Sequence, residues 1–360
     1  MTMRFAFQHS SARVASVVAA AGLIVAPATA GSASAATAAP TADCTWELTR
    51  AAVPEGLAWF NVTGASEQYF VGSGMPPYDY GDKAVLWSER GSEATVLDSP
   101  GKGAAQAADV TDHGLVVAND LVEQRPYLWS KGKITRLTMP AGASAARAGA
   151  INEAGTIVGE AQIDGKTHGI VWSASKPRKY LDLGYGDGVL NLHDIDDAGT
   201  VVASTSEVDS NYSVGLKGTV GGGLAPILES ENAKSTTAHA VNGRYILGGV
   251  SSYREDGDYW DDASAVWDGD SYTAMGTNES PNAINSSGLL AGNSSVRVSS
   301  WTTSGATVWQ DGVKTLLPTL LPDTGSYAEE VTEDGVVIGT SWSSTDSEWP
   351  NPTPVTWTCS

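Results

Sequence analysis

The chain repeats itself. The clearest copy reads Ala150-Ile151-Asn152-Glu153-Ala154-Gly155-Thr156-Ile157-Val158-Gly159, followed by Gly169-Ile170-Val171-Trp172 and then Tyr180-Leu181-Asp182-Leu183. Related stretches begin at Asp109, Asp194, Ala283 and Glu330, with weaker copies at Tyr69 to Gly72 and Tyr245 to Gly248. The small residue that closes the second hydrophobic run falls at 72, 118, 159, 203, 248, 292 and 339, in steps of 46, 41, 44, 45, 44 and 47 residues. Self-similarity at this period marks an array of supersecondary units, each unable to bury its apolar face alone. Seven units fill the stretch between Cys44 and Cys359 and leave no room for a second domain.

Each unit reads as four short strands. An Asn/Asp-x-x-Gly turn, whose residues tolerate positive φ, joins the first two. The third ends in tryptophan in six units, Trp87, Trp129, Trp172, Trp267, Trp309 and Trp357, while the corresponding slot of the fourth unit is read as Lys217. Four strands in about 44 residues, repeated radially, make a β-propeller blade. The expected fold is therefore all-β, a seven-bladed β-propeller over residues 44–360, with the tryptophans packed between blades. The seventh unit runs out after Val355-Thr356-Trp357-Thr358-Cys359, and Thr45-Trp46-Glu47-Leu48 precedes the first unit without a blade of its own. The N-terminal strand is thus expected to complete blade seven, removing an exposed edge. That closure sets Cys44 beside Cys359 as a disulfide, two unrelated free thiols being the alternative.

The units resemble the HAF family of extracellular repeats, whose pattern couples Ile-Asn-x-x-Gly-x-Val-Val-Gly to an aromatic-Leu-Trp strand and an Asp-Leu ending. Unit three carries the resemblance through Ile151-Asn152, Gly155, Ile157-Val158-Gly159, Val171-Trp172 and Asp182-Leu183. Other units depart from it: the Asn slot holds Thr111, Asp196 and Thr332, and few keep Asp-Leu. The resemblance implies secretion and a propeller and brings no catalytic residue.

Residues 1–36 have the form of an export signal: Arg4 and Arg13, an apolar run from Val14 to Val25, then small residues at Ala28-Thr29-Ala30 and Ser34-Ala35-Ala36. Residues 37–43 read as a short linker, and no later run is long enough to span a bilayer. With 21 Lys and Arg against 41 Asp and Glu, the net charge of −20 excludes nucleic acid and anionic membrane surfaces as partners. The expected protein is secreted, extracellular and monomeric.

No nucleophile elbow, phosphate loop or zinc signature is present, and neither a cofactor nor a metal is expected. Two alternatives stand beside a binding role. In the slot before the first-strand Ile or Val, the units carry Asn61, Asp109, Ala150, Asp194, Ala240, Ala283 and Glu330. Asp109, Asp194 and Glu330 around one channel have the chemistry of a glycoside hydrolase. His193 and His239 occupy equivalent slots near the same channel. The second alternative is a protein-interaction or structural protein of the cell exterior.

The favoured reading rests on spacing. From the small residue to the Trp slot the intervals are 15, 11, 13, 14, 19, 17 and 18, so the long loops belong to units five, six, seven and one. Off-pattern aromatics collect there: Tyr78, Tyr80, Tyr253, Tyr259, Trp260, Trp301, Trp342 and Trp349. Exposed Trp and Tyr serve as interaction hot spots and stack on the apolar faces of sugar rings. The expected function is non-enzymatic binding of an extracellular glycan, with a protein partner second.

Overall fold

The computed structural model describes residues 44–360 apart from 78–80, 185–187, 208–211, 228–234, 255–258, 270, 299–300 and 345–350. The expected signal, the linker, Tyr78, Tyr80 and Trp349 lie outside the described residues.

Seven four-stranded antiparallel sheets form the propeller, with one 3₁₀ turn, Glu89–Gly91, as the sole helical element among the described residues. The innermost strands are Ala58–Ala65, Ala105–Val110, Ala143–Ile151, Gly188–Ile195, Ser235–Asn242, Glu279–Ile284 and Ser326–Val331. Six sheets run in sequence order. The seventh takes its outer strand, Trp46–Arg50, from the N-terminus, paired with Pro352–Cys359 in the register Trp46 to Cys359 and Leu48 to Trp357. The Cys44–Cys359 disulfide lies at the end of that pair, with the α-carbons 5.5 Å apart. Such a bond belongs to an oxidising, non-cytoplasmic compartment.

Every blade joint has its own apolar cluster. Trp172 of blade three packs with Val117 and Leu128 of blade two, and Trp357 of blade seven with Leu289 and Val308 of blade six. Trp129, Trp87, Trp267 and Trp309 do the same at their joints. The indole N–H groups of Trp87, Trp172 and Trp357 donate to carbonyls of the link entering their own blade, Ala52, Thr138 and Pro318, at 2.7–2.8 Å. The joint between blades three and four has no tryptophan and is filled by Leu190, Leu192, Leu216 and Leu224. There the slot opposite Val201 is Gly218 and not Lys217. A Cβ at Gly218 would lie 1.9 Å from the Gly223 carbonyl, so no side chain fits.

A one-residue bulge interrupts each innermost strand, and those of blades one and three have two. The bulge explains the small residues that define the repeat. At Gly72, Gly159, Gly248 and Gly339, an added Cβ would meet an innermost-strand carbonyl at 1.8–2.1 Å. The bulged backbone leans onto its neighbour, and only glycine or a shifted alanine leaves room.

The turns explain why the motif is degenerate. Asn152, Asp196 and Asn285 accept the N–H four residues on through a side-chain oxygen, at 3.0, 2.7 and 3.1 Å. Thr111 and Thr332 use their hydroxyls in the same way, at 3.3 and 2.9 Å. Any short side chain with an acceptor oxygen does this work. The glycine that follows sits at positive φ, +73° at Gly155 and +84° at Gly288.

Candidate functional site: the central channel and its two mouths

Because successive strands alternate direction, the turns between first and second strands share one face of the ring. The hairpins between second and third strands share the other. The channel opens on both, as a cavity of about 460 Å³ on the turn face and one of about 800 Å³ on the hairpin face. Thr63, Gly149 and His193 line both and so stand between the two mouths.

The turn-face cavity gathers Asp109, Asp194, Glu330, His193 and His239, as the repeat alignment anticipates. Its alignment is off in blade one: the residue equivalent to Asp109 is Gly64, paired with Val71 as Asp109 pairs with Val117, and not Asn61. A Cβ at Gly64 would approach the Asp109 carboxylate to 2.6 Å.

Asp109 and Asp194 hold backbone together. Asp109 accepts the N–H of Val110 at 2.7 Å and, with its other oxygen, that of Ile151 in the next blade at 2.9 Å. Asp194 repeats the arrangement with Ile195 at 2.7 Å and Val241 at 2.8 Å. Each carboxylate caps the bulge of its own strand and ties it to its neighbour. The carboxyl of Glu330, in the equivalent slot, has no hydrogen bond among the described residues; its neighbour Glu329 accepts from Asn282 at 3.0 Å.

Burial in the channel wall pushes the Asp109 carboxyl up to about 8, against the pull of its two N–H donors. Asp194 rises to about 6 and Glu329 to about 7, both chiefly through burial. Glu330 lies well above the ordinary carboxylate range through burial, with Asp109 and Asp194 adding repulsion. Burial lowers His193 to about 4, and His239 is lowered by the same cause although part of its surface meets channel solvent. Among the described residues no three His, Cys, Asp or Glu side chains converge closely enough to hold a metal ion.

These shifts set a pH dependence of stability. The carboxyls keep their protons to higher pH in the folded state than in the unfolded chain, so their contribution is lost as pH rises from about 4 to about 8. His193 opposes this only between about 4 and 6.5, where the unfolded chain takes up the proton, and His239 acts in the same sense below its ordinary value. The melting temperature is therefore expected to fall between roughly pH 6.5 and roughly pH 8.5. Glu330→Gln, which keeps the shape and removes one titrating group, should flatten the fall in thermal scans. A profile equally steep in the variant would remove Glu330 from this account.

An arc of acidic residues one place into the turns of blades seven, one, two, three and four escaped the sequence reading. The Glu333 N–H donates to Glu67, Glu67 N–H to Asp112, Asp112 N–H to Glu153, and Glu153 N–H to Asp197, at 2.6–2.8 Å. Ser286 N–H donates to Glu333 at 3.2 Å. Each carboxylate thus latches the preceding blade. Its signal was present, an acid recurring in one slot at blade spacing.

On the hairpin face, the long intervals of blades five and six are strand and not loop. Tyr245–Arg254 pairs with Tyr259–Asp268, and Leu290–Val298 with Trp301–Gln310, each strand being 9 or 10 residues long. Tyr253 lies opposite Trp260, Arg254 opposite Tyr259, and Val298 opposite Trp301, all at hairpin tips. Trp342 is half-buried at the end of strand Val337–Trp342, its backbone N–H bonded to the Gly325 carbonyl at 3.0 Å. Its ring lies so close to Gly325 that an added Cβ there would sit 2.9 Å away.

No protein-family model matches the sequence, and no curated protein matches it. Among solved structures the chain is similar to virginiamycin B lyase from Staphylococcus aureus, with 10% identity, a TM-score of 0.53, and 88% of this chain and 99% of the lyase covered. It is similar to a prolyl endopeptidase with 10% identity, a TM-score of 0.53, and coverage of 84% and 47%. Its likeness to TolB from Acinetobacter baumannii has 12% identity, a TM-score of 0.47, and coverage of 70% and 64%. The chain spans less than two thirds of TolB and about half of the endopeptidase. At such identities the lyase and endopeptidase likenesses are ones of fold, that of a β-propeller.

Proposed function

We propose that this protein is an exported, non-catalytic binding module that takes an extracellular carbohydrate on the hairpin face of its propeller. The observation that carries the reading is the register of blades five and six. Two adjacent blades extend their second and third strands beyond the ring and place Tyr253, Tyr259, Trp260 and Trp301 at the tips. Tyr and Trp carried on neighbouring hairpins have the chemistry that stacks on sugar rings. The disulfide and the signal-like N-terminal segment support export. Against the hydrolase alternative, Asp109 and Asp194 each have both oxygens engaged by backbone N–H groups, which leaves Glu330 without a second free carboxyl of the three.

A glycan array probed with the purified protein tests the reading. Binding to a defined glycan class is expected, and Trp260→Ala and Trp301→Ala should each weaken it by about tenfold or more, as hot-spot truncations do. Their melting temperatures should match that of the parent protein. If both variants melt markedly lower, the two rings are core and do not serve as stacking residues.

A further inference from the structure

We infer that the hairpin-face mouth of the channel is a subsite for a neutral, hydroxyl-rich oligosaccharide, a step that rests on the carbohydrate reading above and gives it a ligand class. The cavity of about 800 Å³ is formed by blades one to four, beside the extended hairpins and on their side of the ring. Its volume falls within the range of small-molecule sites. Its wall is built from Asn61, Gln106, Arg147, Glu160, Gln162 and Asn191, three from blade three and one from each of the others, over Ala107, Ala148, Gly149 and Gly159. The small residues let a ligand come close to backbone, and the polar ones supply the contacts.

Arg147 and Glu160 stand directly opposite each other on the paired strands Ala143–Ile151 and Thr156–Ile163. Neither forms an ion pair or a side-chain hydrogen bond among the described residues, and the Asn191 side chain is likewise unpartnered. Asn61 accepts from the Ser73 hydroxyl at 2.5 Å through its carbonyl oxygen, which leaves its amide N–H groups to the cavity. Gln162 donates to Thr167 at 2.8 Å, which leaves its carbonyl oxygen. The lining thus holds a donor-only guanidinium, an acceptor-only carboxylate and amides that do both.

A sugar hydroxyl is both donor and acceptor, so a pair of vicinal hydroxyls can satisfy Arg147 and Glu160 together. The two charges cancel, and the chain's net charge of −20 opposes a polyanion. An ammonium-rich ligand would meet Arg147. Neutral saccharides are the class that remains.

The test is calorimetric titration of the purified full chain with neutral pentasaccharides of glucose, mannose, xylose and galactose, and with an oligogalacturonate as the anionic comparison. At least one neutral pentasaccharide should bind, and Arg147→Leu and Asn191→Leu should each weaken it by about tenfold, the scale of losing a charge-assisted or bidentate contact. The melting temperature should not change. Binding that survives both substitutions but is lost in Trp260→Ala would overturn the subsite and leave the binding function standing. A preference for the oligogalacturonate would overturn the neutral class. Binding of none of the probes would overturn both.

Discussion

Replacing Cys44 and Cys359 by serine is expected to destabilise the protein by roughly 5 kcal/mol on the chain-entropy account, because the bond closes a loop spanning nearly the whole propeller. The separation is 315 residues. Blade seven is the one sheet assembled from both ends of the chain, and five residue pairs from Trp46 to Arg50 hold its outer strand. Without the bond those pairs must be found anew by two distant segments each time the ring opens. For a protein of this size the loss corresponds to a fall in melting temperature of about 7 °C. Thermal scans of the double-serine variant, and of the parent protein with and without reductant, measure it. An unchanged midpoint in both would mean that strand pairing alone closes the ring.

Trp172→Ala should cost about 3–5 kcal/mol, the range for removing a fully buried aromatic side chain. Trp172 is 1% exposed, fills the joint between blades two and three, and donates its indole N–H to the Thr138 carbonyl. Truncation leaves a large cavity at a joint and a carbonyl without its partner. Val122→Ala is the matching control: Val122 is 64% exposed and its truncation should stay within about 0.5 kcal/mol. Denaturant unfolding of both variants separates the cases. A loss at Trp172 as small as that at Val122 would mean that the joints are not where the stability lies.

The repeat carried a large part of the structure in plain view. Four-strand blades, buried tryptophans, the Asn/Asp/Thr-x-x-Gly turns and completion of blade seven by Trp46–Arg50 all follow from local alternation and spacing. Three details did not. Gly64 and not Asn61 is the blade-one counterpart of Asp109, because the residue after that slot is Ala65 where other blades carry Val110, Ile151 or Ile195, and Val62 is the nearest β-branched residue to take its place in a sequence alignment. Gly218 and not Lys217 fills the Trp slot of blade four, because a glycine in an aromatic's place carries no hydrophobic signal. The long intervals of blades five and six are extended strands, since Ser/Asp-rich segments such as Asp261-Asp262 and Ser294-Ser295 read locally as loop and are held as strand by their partners.

What the amino-acid order determined by itself is the number of blades, their internal strand plan and the pairing of the two ends. These depend on side-chain alternation, turn chemistry and a period, all properties of neighbouring residues. What tertiary structure decided is the role of each channel carboxylate. Asp109, Asp194 and Glu330 occupy one slot of the repeat, yet the first two cap backbone N–H groups of the adjoining blade and Glu330 does not. The donors that make the difference lie 42 and 47 residues further along the chain. They come within reach only when bulged strands of neighbouring blades pack side by side around the channel.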